Sequence, residues 1–264
     1  MTAQDDWQRW CDRFDKLHNP ILRLFHDRGI WRTILAMLDA NPQVARGGLG
    51  EYWLGSCYAD SMLIGIRRET GADSESIGIR RSLNSLASTP RMATRSWHEQ
   101  EVRQRNQGGD AWELAQLDAA FDIFAAPGQQ FIDAVRVRQD ITALDAVIRR
   151  VNNYTSKAIA HRDDNPQGVP AGLAVTWGEL DAALDAVGNI YKKYYRLRHA
   201  GEALGILTPL KSPGWIQMFK TAWMPPGFTL PHDLSFEPAT DARKTCAPPA
   251  AQPARETPPV VIGP

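Results

Sequence analysis

The sequence predicts an all-α fold, a helical bundle followed by a disordered, proline-rich C-terminal tail. Two observations carry that expectation. Apolar residues recur at three- and four-residue spacing from Trp7 to about Trp223, the period that gathers side chains on one face of an α-helix. Ten of the 18 prolines then fall between Pro225 and Pro264, where lost backbone donors and restricted dihedrals work against regular structure. No hairpin signal and no internal repeat interrupts the pattern.

Taken in order, Trp7, Trp10, Cys11, Phe14 and Leu17 define a first amphipathic helix. Asn19-Pro20 reads as an N-cap followed by proline at the first helical position. The helix it opens is expected to reach about Leu38, with a break at Gly29, and to stop at Asn41-Pro42. Gly47 to Gly50 reads as a loop. From Glu51 to Glu69 apolar residues occupy every face, the mark of a central, buried helix; Asp60 within it would need a partner if buried. A short helix follows near Glu75 to Ala87, and 88–110, polar and rich in arginine, reads as a mobile, partly helical excursion.

Leu114, Leu117, Phe121 and Phe124 mark a further helix, stopped at Pro127-Gly128. The longest helix is expected from near Gln129 to about Asp163, with Ile141, Leu144, Ile148, Val151 and Ala158 as its apolar stripe. Thr176-x-x-Glu179 is a capping box that opens the last long helix, on which Leu180, Leu184, Val187, Tyr191 and Tyr194 face inward. A short apolar helix over Pro213 to Trp223 closes the fold. The expected division is one helical domain over 1–224, its core at about 50–200, and a largely disordered tail over 225–264.

Composition narrows the function classes. Of 264 residues, 43% are apolar and 23% charged, enough for a sizeable core. A formal net charge of zero removes any global argument for nucleic-acid or membrane partners. Cys11, Cys57 and Cys246 form no framework and no zinc-ligand spacing, so neither a metal nor a cofactor is expected. The first thirteen residues lack an apolar signal core, and no run reaches membrane-spanning length. A cytoplasmic protein without a membrane segment is therefore expected.

The segment Asn152 to Asp164 carries most chemistry. On an ideal helix Arg150, Tyr154, Lys157 and His161 fall on one line, off the apolar stripe. A lysine one turn before a histidine sets a phosphate-binding cation beside a candidate general base. The same residues also suit a plain helix end, where cations meet the negative end of the dipole. His161-Arg162-Asp163 spells the start of a kinase catalytic loop too, but Gly168 stands where that loop needs asparagine, and no glycine-rich loop is present.

Three stretches together resemble the HEPN superfamily, in the branch of abortive-infection AbiU-like proteins. They are Tyr154-Thr155-Ser156-Lys157-Ala158-Ile159-Ala160-His161-Arg162-Asp163, then Thr176 to Asp185, and Ala59 to Arg68. The resemblance spans roughly 50–200. It implies a helical bundle that dimerises, and a metal-independent endoribonuclease of toxin–antitoxin or phage-defence systems, with an antitoxin or other protein as partner. It assigns proton transfer to His161 and phosphate binding to Lys157 and Arg162. Tyr154, Asp163, Asp60 and Arg67 would support them. The family's arginine would stand at or beside Thr155, and its asparagine near Ser156. Neither hydroxyl supplies the bidentate charge of a guanidinium. Three readings thus stay open: an RNA-cleaving effector, a non-catalytic dimeric module binding a partner protein or nucleotide, and a helical bundle whose polar helix end is structural.

Overall fold

A computed structural model describes residues 2–40, 49–71, 77–105, 120–160, 174–199, 203 and 205–208. These residues are helical, as the spacing predicts. Among the described residues the α-helices with both ends placed run in order: α1 (Ala3–Asp15), α2 (His18–Ala40), α3 (Leu49–Thr70), α4 (Ile79–Ser88), α5 (Arg95–Arg105), α6 (Ala134–Tyr154) and α7 (Trp177–His199). A 3-10 turn over Pro90–Met92 precedes α5, and a π-helical turn over Thr155–Ala160 extends α6. The β pairing among the described residues is a single bridge between Thr94 and Phe131. None of the described helices is long and apolar enough to cross a membrane.

Aromatic packing organises the core. Trp7 stacks on Trp10 at 4.9 Å, Trp10 on Phe14 at 4.8 Å, and Phe14 on Tyr191 of α7 at 5.1 Å. This chain joins α1 to α7 through flat apolar faces, each burying a large area at little rotamer cost. Trp10 also sends its indole N–H to the Ser82 carbonyl of α4 at 2.9 Å. A second stack, Trp31, Tyr58 and Trp177, joins α2, α3 and α7 with centroids 5.2 to 5.8 Å apart. Among the described tryptophans, Trp7, Trp10 and Trp31 are buried and Trp97 and Trp177 half-buried, whereas Trp53 is 63% exposed.

Helices close in where side chains are absent. A Cβ on Gly65 of α3 would lie 2.3 Å from Leu24, and one on Gly188 of α7 2.4 Å from the Phe25 ring. Both glycines let α2 seat against its neighbours. Arg28 and Arg32 of α2 then reach Asp185 and Asp181 of α7 at 2.6 and 3.1 Å. Gly29 does not split α2, and Pro20 lies in its first turn rather than at its first position. Leu49 and Gly50 are already helical; Asn41-Pro42, Gly47 and Gly48 lie outside the described residues.

The stretch 88–105 corrects an expectation. It is helical in part, as expected, but packed onto the fold rather than an excursion: Arg95 is buried, pairs with Asp122 at 2.5 Å and donates to the Gln129 carbonyl at 3.0 Å. Arg136 donates to the carbonyls of Asp122 and Ala125. Two arginines thus staple the Phe121–Gln130 loop to α5 and α6. Phe121 and Phe124 are buried at the start of that loop; Leu114 and Leu117 lie outside the described residues, as do Pro213 to Trp223 and the 225–264 tail.

Candidate functional site

Helix α6 begins where Asp133 caps the Val135 N–H at 2.8 Å, so its start is five residues later than the sequence predicts. Its stripe of Leu144, Ile148 and Val151 is buried. The regular helix ends at Tyr154, and the next six residues wind as a π turn. Thr155 accounts for the change locally. Its hydroxyl donates back to the Val151 carbonyl at 2.7 Å, a contact that bends helices. The same hydroxyl lies 3.5 Å from the Leu63 carbonyl of α3.

Thr155 is 1% exposed. The position where the resemblance would put a cation is therefore closed by two helices and met by carbonyls. Tyr154 is 4% exposed and part of the core, which corrects the expectation that the line of Arg150, Tyr154 and Lys157 flanks the core. An ideal 100° step places Tyr154 outside; the actual stripe continues through Ile148, Val151 and Tyr154. The line does not extend past Tyr154, because i→i+5 bonding turns the chain less per residue.

Lys157 is exposed on the π turn. Arg150 is committed elsewhere: its guanidinium binds Glu179 at 2.6 Å, across to the start of α7. Glu179 in turn accepts from the Thr176 N–H at 2.8 Å, while its own N–H donates to the Thr176 hydroxyl at 3.2 Å. The predicted capping box is thus formed, and it fixes where the chain enters α7. His161, Arg162 and Asp163 lie outside the described residues.

From α3, the structure brings Asp60 towards Tyr154. Burial pushes the Tyr154 phenol above its ordinary value, and the nearby charges of Asp60 and Tyr52 push the same way. Asp60 is exposed overall, yet its neighbours strip enough water to raise its carboxyl. Arg67 stands two turns further along, about 10 Å by helical rise, and meets neither Asp60 nor Lys157 among the described contacts. Sequence reasoning missed the tie between these helices: Asn152 Nδ2 donates to the Thr70 hydroxyl at 3.3 Å. The paired asparagines at 152 and 153, unfavourable inside a helix, are the signal that marks it.

The described geometry therefore offers Lys157, exposed on a wide helical turn that ends just before position 161, and, separately, the approach of Asp60 and Tyr52 to Tyr154. No group of His, Cys, Asp or Glu that would hold a metal occurs among the described residues. Compared with models of known families, with curated proteins and with solved structures, the chain matches none.

Proposed function

We propose that this chain is an RNA-directed protein of HEPN type, a cytoplasmic toxin or phage-defence effector that cleaves RNA without metal. The observation that supports this most is the exposed Lys157 on a π turn four residues before His161; such turns occur often at functional sites. In this reading His161 takes the proton from an RNA 2′-hydroxyl as that oxygen attacks the adjacent phosphorus. The bond to the 5′-oxygen breaks, a 2′,3′-cyclic phosphate remains, and the leaving oxygen is protonated. Lys157 and Arg162 hold the phosphate charge. Lysine acts there as a point charge rather than a planar fork, so cleavage would be slower than with an arginine at the site.

The test is incubation of the purified chain with tRNA in the presence of a chelator. Cleavage is expected, lost in His161→Ala and reduced about hundred- to thousandfold in Lys157→Ala, as for one electrostatic contact to a transition state. Intact tRNA with the unaltered protein would overturn the nuclease reading.

One observation favours a second reading. Thr155 is sealed between α3 and α6, so the family's phosphate-binding guanidinium has no place to stand. A non-catalytic module that binds a partner protein, such as an antitoxin, then accounts for the same fold. Intact RNA together with specific retention of a partner protein on the folded chain would support it.

A further inference from the structure

Tyr191 is the meeting point of two features that occur separately elsewhere in the core. The first is a run of rings. Trp97, half-buried on α5, meets Trp7 edge-on at 4.6 Å. Trp7, Trp10, Phe14 and Tyr191 then stack nearly parallel, with 12 to 15° between one plane and the next. Overlapping π faces this close let an electron tunnel from ring to ring. Phenylalanine is too hard to oxidise to hold the charge, so Phe14 is a one-ring bridge between Trp10 and Tyr191. The second feature is a base on the phenol. His18 Nδ1, at the start of α2, lies 3.2 Å from the Tyr191 hydroxyl, and an imidazole that carries its proton on the other nitrogen accepts there.

Other aromatic residues have one feature without the other. Tyr58 stacks between Trp31 and Trp177, but no group among the described residues accepts its phenolic proton. Tyr194 donates to Asp140 at 2.7 Å, yet its ring meets Phe124 and no indole among the described residues. Trp10 has the stack, but its indole N–H is bonded to the Ser82 carbonyl, which takes no proton. At Tyr191 burial also pushes the phenol above its ordinary value. The hydroxyl therefore does not ionise first, and electron and proton must leave together.

We propose that Tyr191 and His18 form a buried redox site, fed with oxidising equivalents through the stacked indoles of Trp97, Trp7 and Trp10. The co-reactant is a diffusible one-electron oxidant of radical type. It takes one electron from an indole of the stack and leaves reduced. At Trp10 the resulting radical cation keeps its proton and is refilled by an electron from Tyr191 through Phe14. The Tyr191 O–H bond breaks in the same step, and its proton passes to His18 Nδ1. A neutral phenoxyl radical then stands beside an imidazolium. Tyr191 is 1% exposed, so that radical is shielded from solutes while the tryptophans are restored. This site does not rest on the RNA reading and shares no residue with it.

Pulse radiolysis of the full chain with azide radicals, which oxidise indoles in preference to phenols, tests it. Circular dichroism confirms that each variant is folded. The indolyl absorption formed first is expected to give way to phenoxyl absorption at a rate independent of protein concentration. Tyr191→Phe keeps the stack and should remove most of that growth, whereas Tyr58→Phe and Tyr194→Phe should leave it. His18→Phe should slow it at least about tenfold, since a positioned base contributes more than that to proton transfer. In the unaltered protein the step should run more slowly in heavy water, because the proton moves with the electron. The proposal is overturned if no phenoxyl growth follows the indolyl signal, or if Tyr191→Phe leaves the growth intact. A rate that neither His18→Phe nor heavy water changes overturns it as well.

Discussion

The side chain of Asn152 donates to Thr70 at 3.3 Å, and Thr70 passes its own proton to the Ile66 carbonyl at 2.7 Å. This short relay joins the last turn of α3 to the last turn of α6, directly behind the π turn. Asn152→Ala removes the donor from a buried acceptor. It should lower stability by about 1 kcal/mol, read as a shift in the urea midpoint with an unchanged slope.

Thr155 makes a sharper prediction. Installing the arginine of the resembled family there does not create a nuclease. The guanidinium would be forced among Val151, Leu63 and their carbonyls with no counter-charge. Thr155→Arg should cost about 3 kcal/mol or more, the scale of an uncompensated buried charge. A thermal melt shows the loss; a stable Thr155→Arg protein would mean the α3–α6 contact opens readily.

Glu179 supplies a pH dependence. Partial burial works to raise its carboxyl, but the hydrogen bonds from Thr176 and the Arg150 guanidinium outweigh it and hold Glu179 below its ordinary value of 4.5. A carboxyl that is more acidic in the folded chain stabilises it above that ordinary value. The contribution fades as pH falls below 4.5 through the lower folded value. Glu179→Gln keeps a capping side chain but should flatten the fall in melting temperature on acidification. Thr176→Ala removes the cap at every pH, at about 1 kcal/mol.

Gly188 and Gly65 differ in what their missing side chains would strike. At Gly65 the obstacle is the tip of Leu24, which can turn aside. At Gly188 it is the edge of the Phe25 ring, backed by Leu207 at 3.3 Å. Gly188→Ala should therefore destabilise by about 1–3 kcal/mol, offset by less than about 1 kcal/mol of helix propensity. Gly65→Ala should cost less, and paired denaturation curves rank the two.

Much of the fold was legible because periodicity is a local property. The Leu180 to Tyr194 stripe, the Thr176–Glu179 box and the Trp7–Phe14 face are each written within a few turns of chain, and each is found as read. Tyr154 was misassigned because an apolar stripe on a real helix drifts, and an aromatic with a hydroxyl fits either side. The arginines at 91, 95, 103 and 105 looked like a solvated run, yet Arg95 is held by Asp122 and Gln129, partners some 30 residues away that no local pattern reveals. Among the predicted site residues, Asp60 approaches Tyr154, and Lys157 is exposed on the turn that follows. The exposure of Trp53 and Ile64 on α3 could not be read at all: a helix apolar all round gives no local sign of which side is buried.

The wide turn over Thr155–Ala160 also sets a phase. Such a turn arises when one extra residue is accommodated in an α-helix without unwinding it, so it acts as a built-in register slip. Deleting Ser156 alone would let α6 run on as a plain spiral and would swing everything downstream of it by roughly a quarter of a revolution. The aim of the chain as it leaves Ala160 is thus encoded by the length of this segment as much as by its side chains, and a length change of one there would redirect it while leaving the bundle behind it untouched.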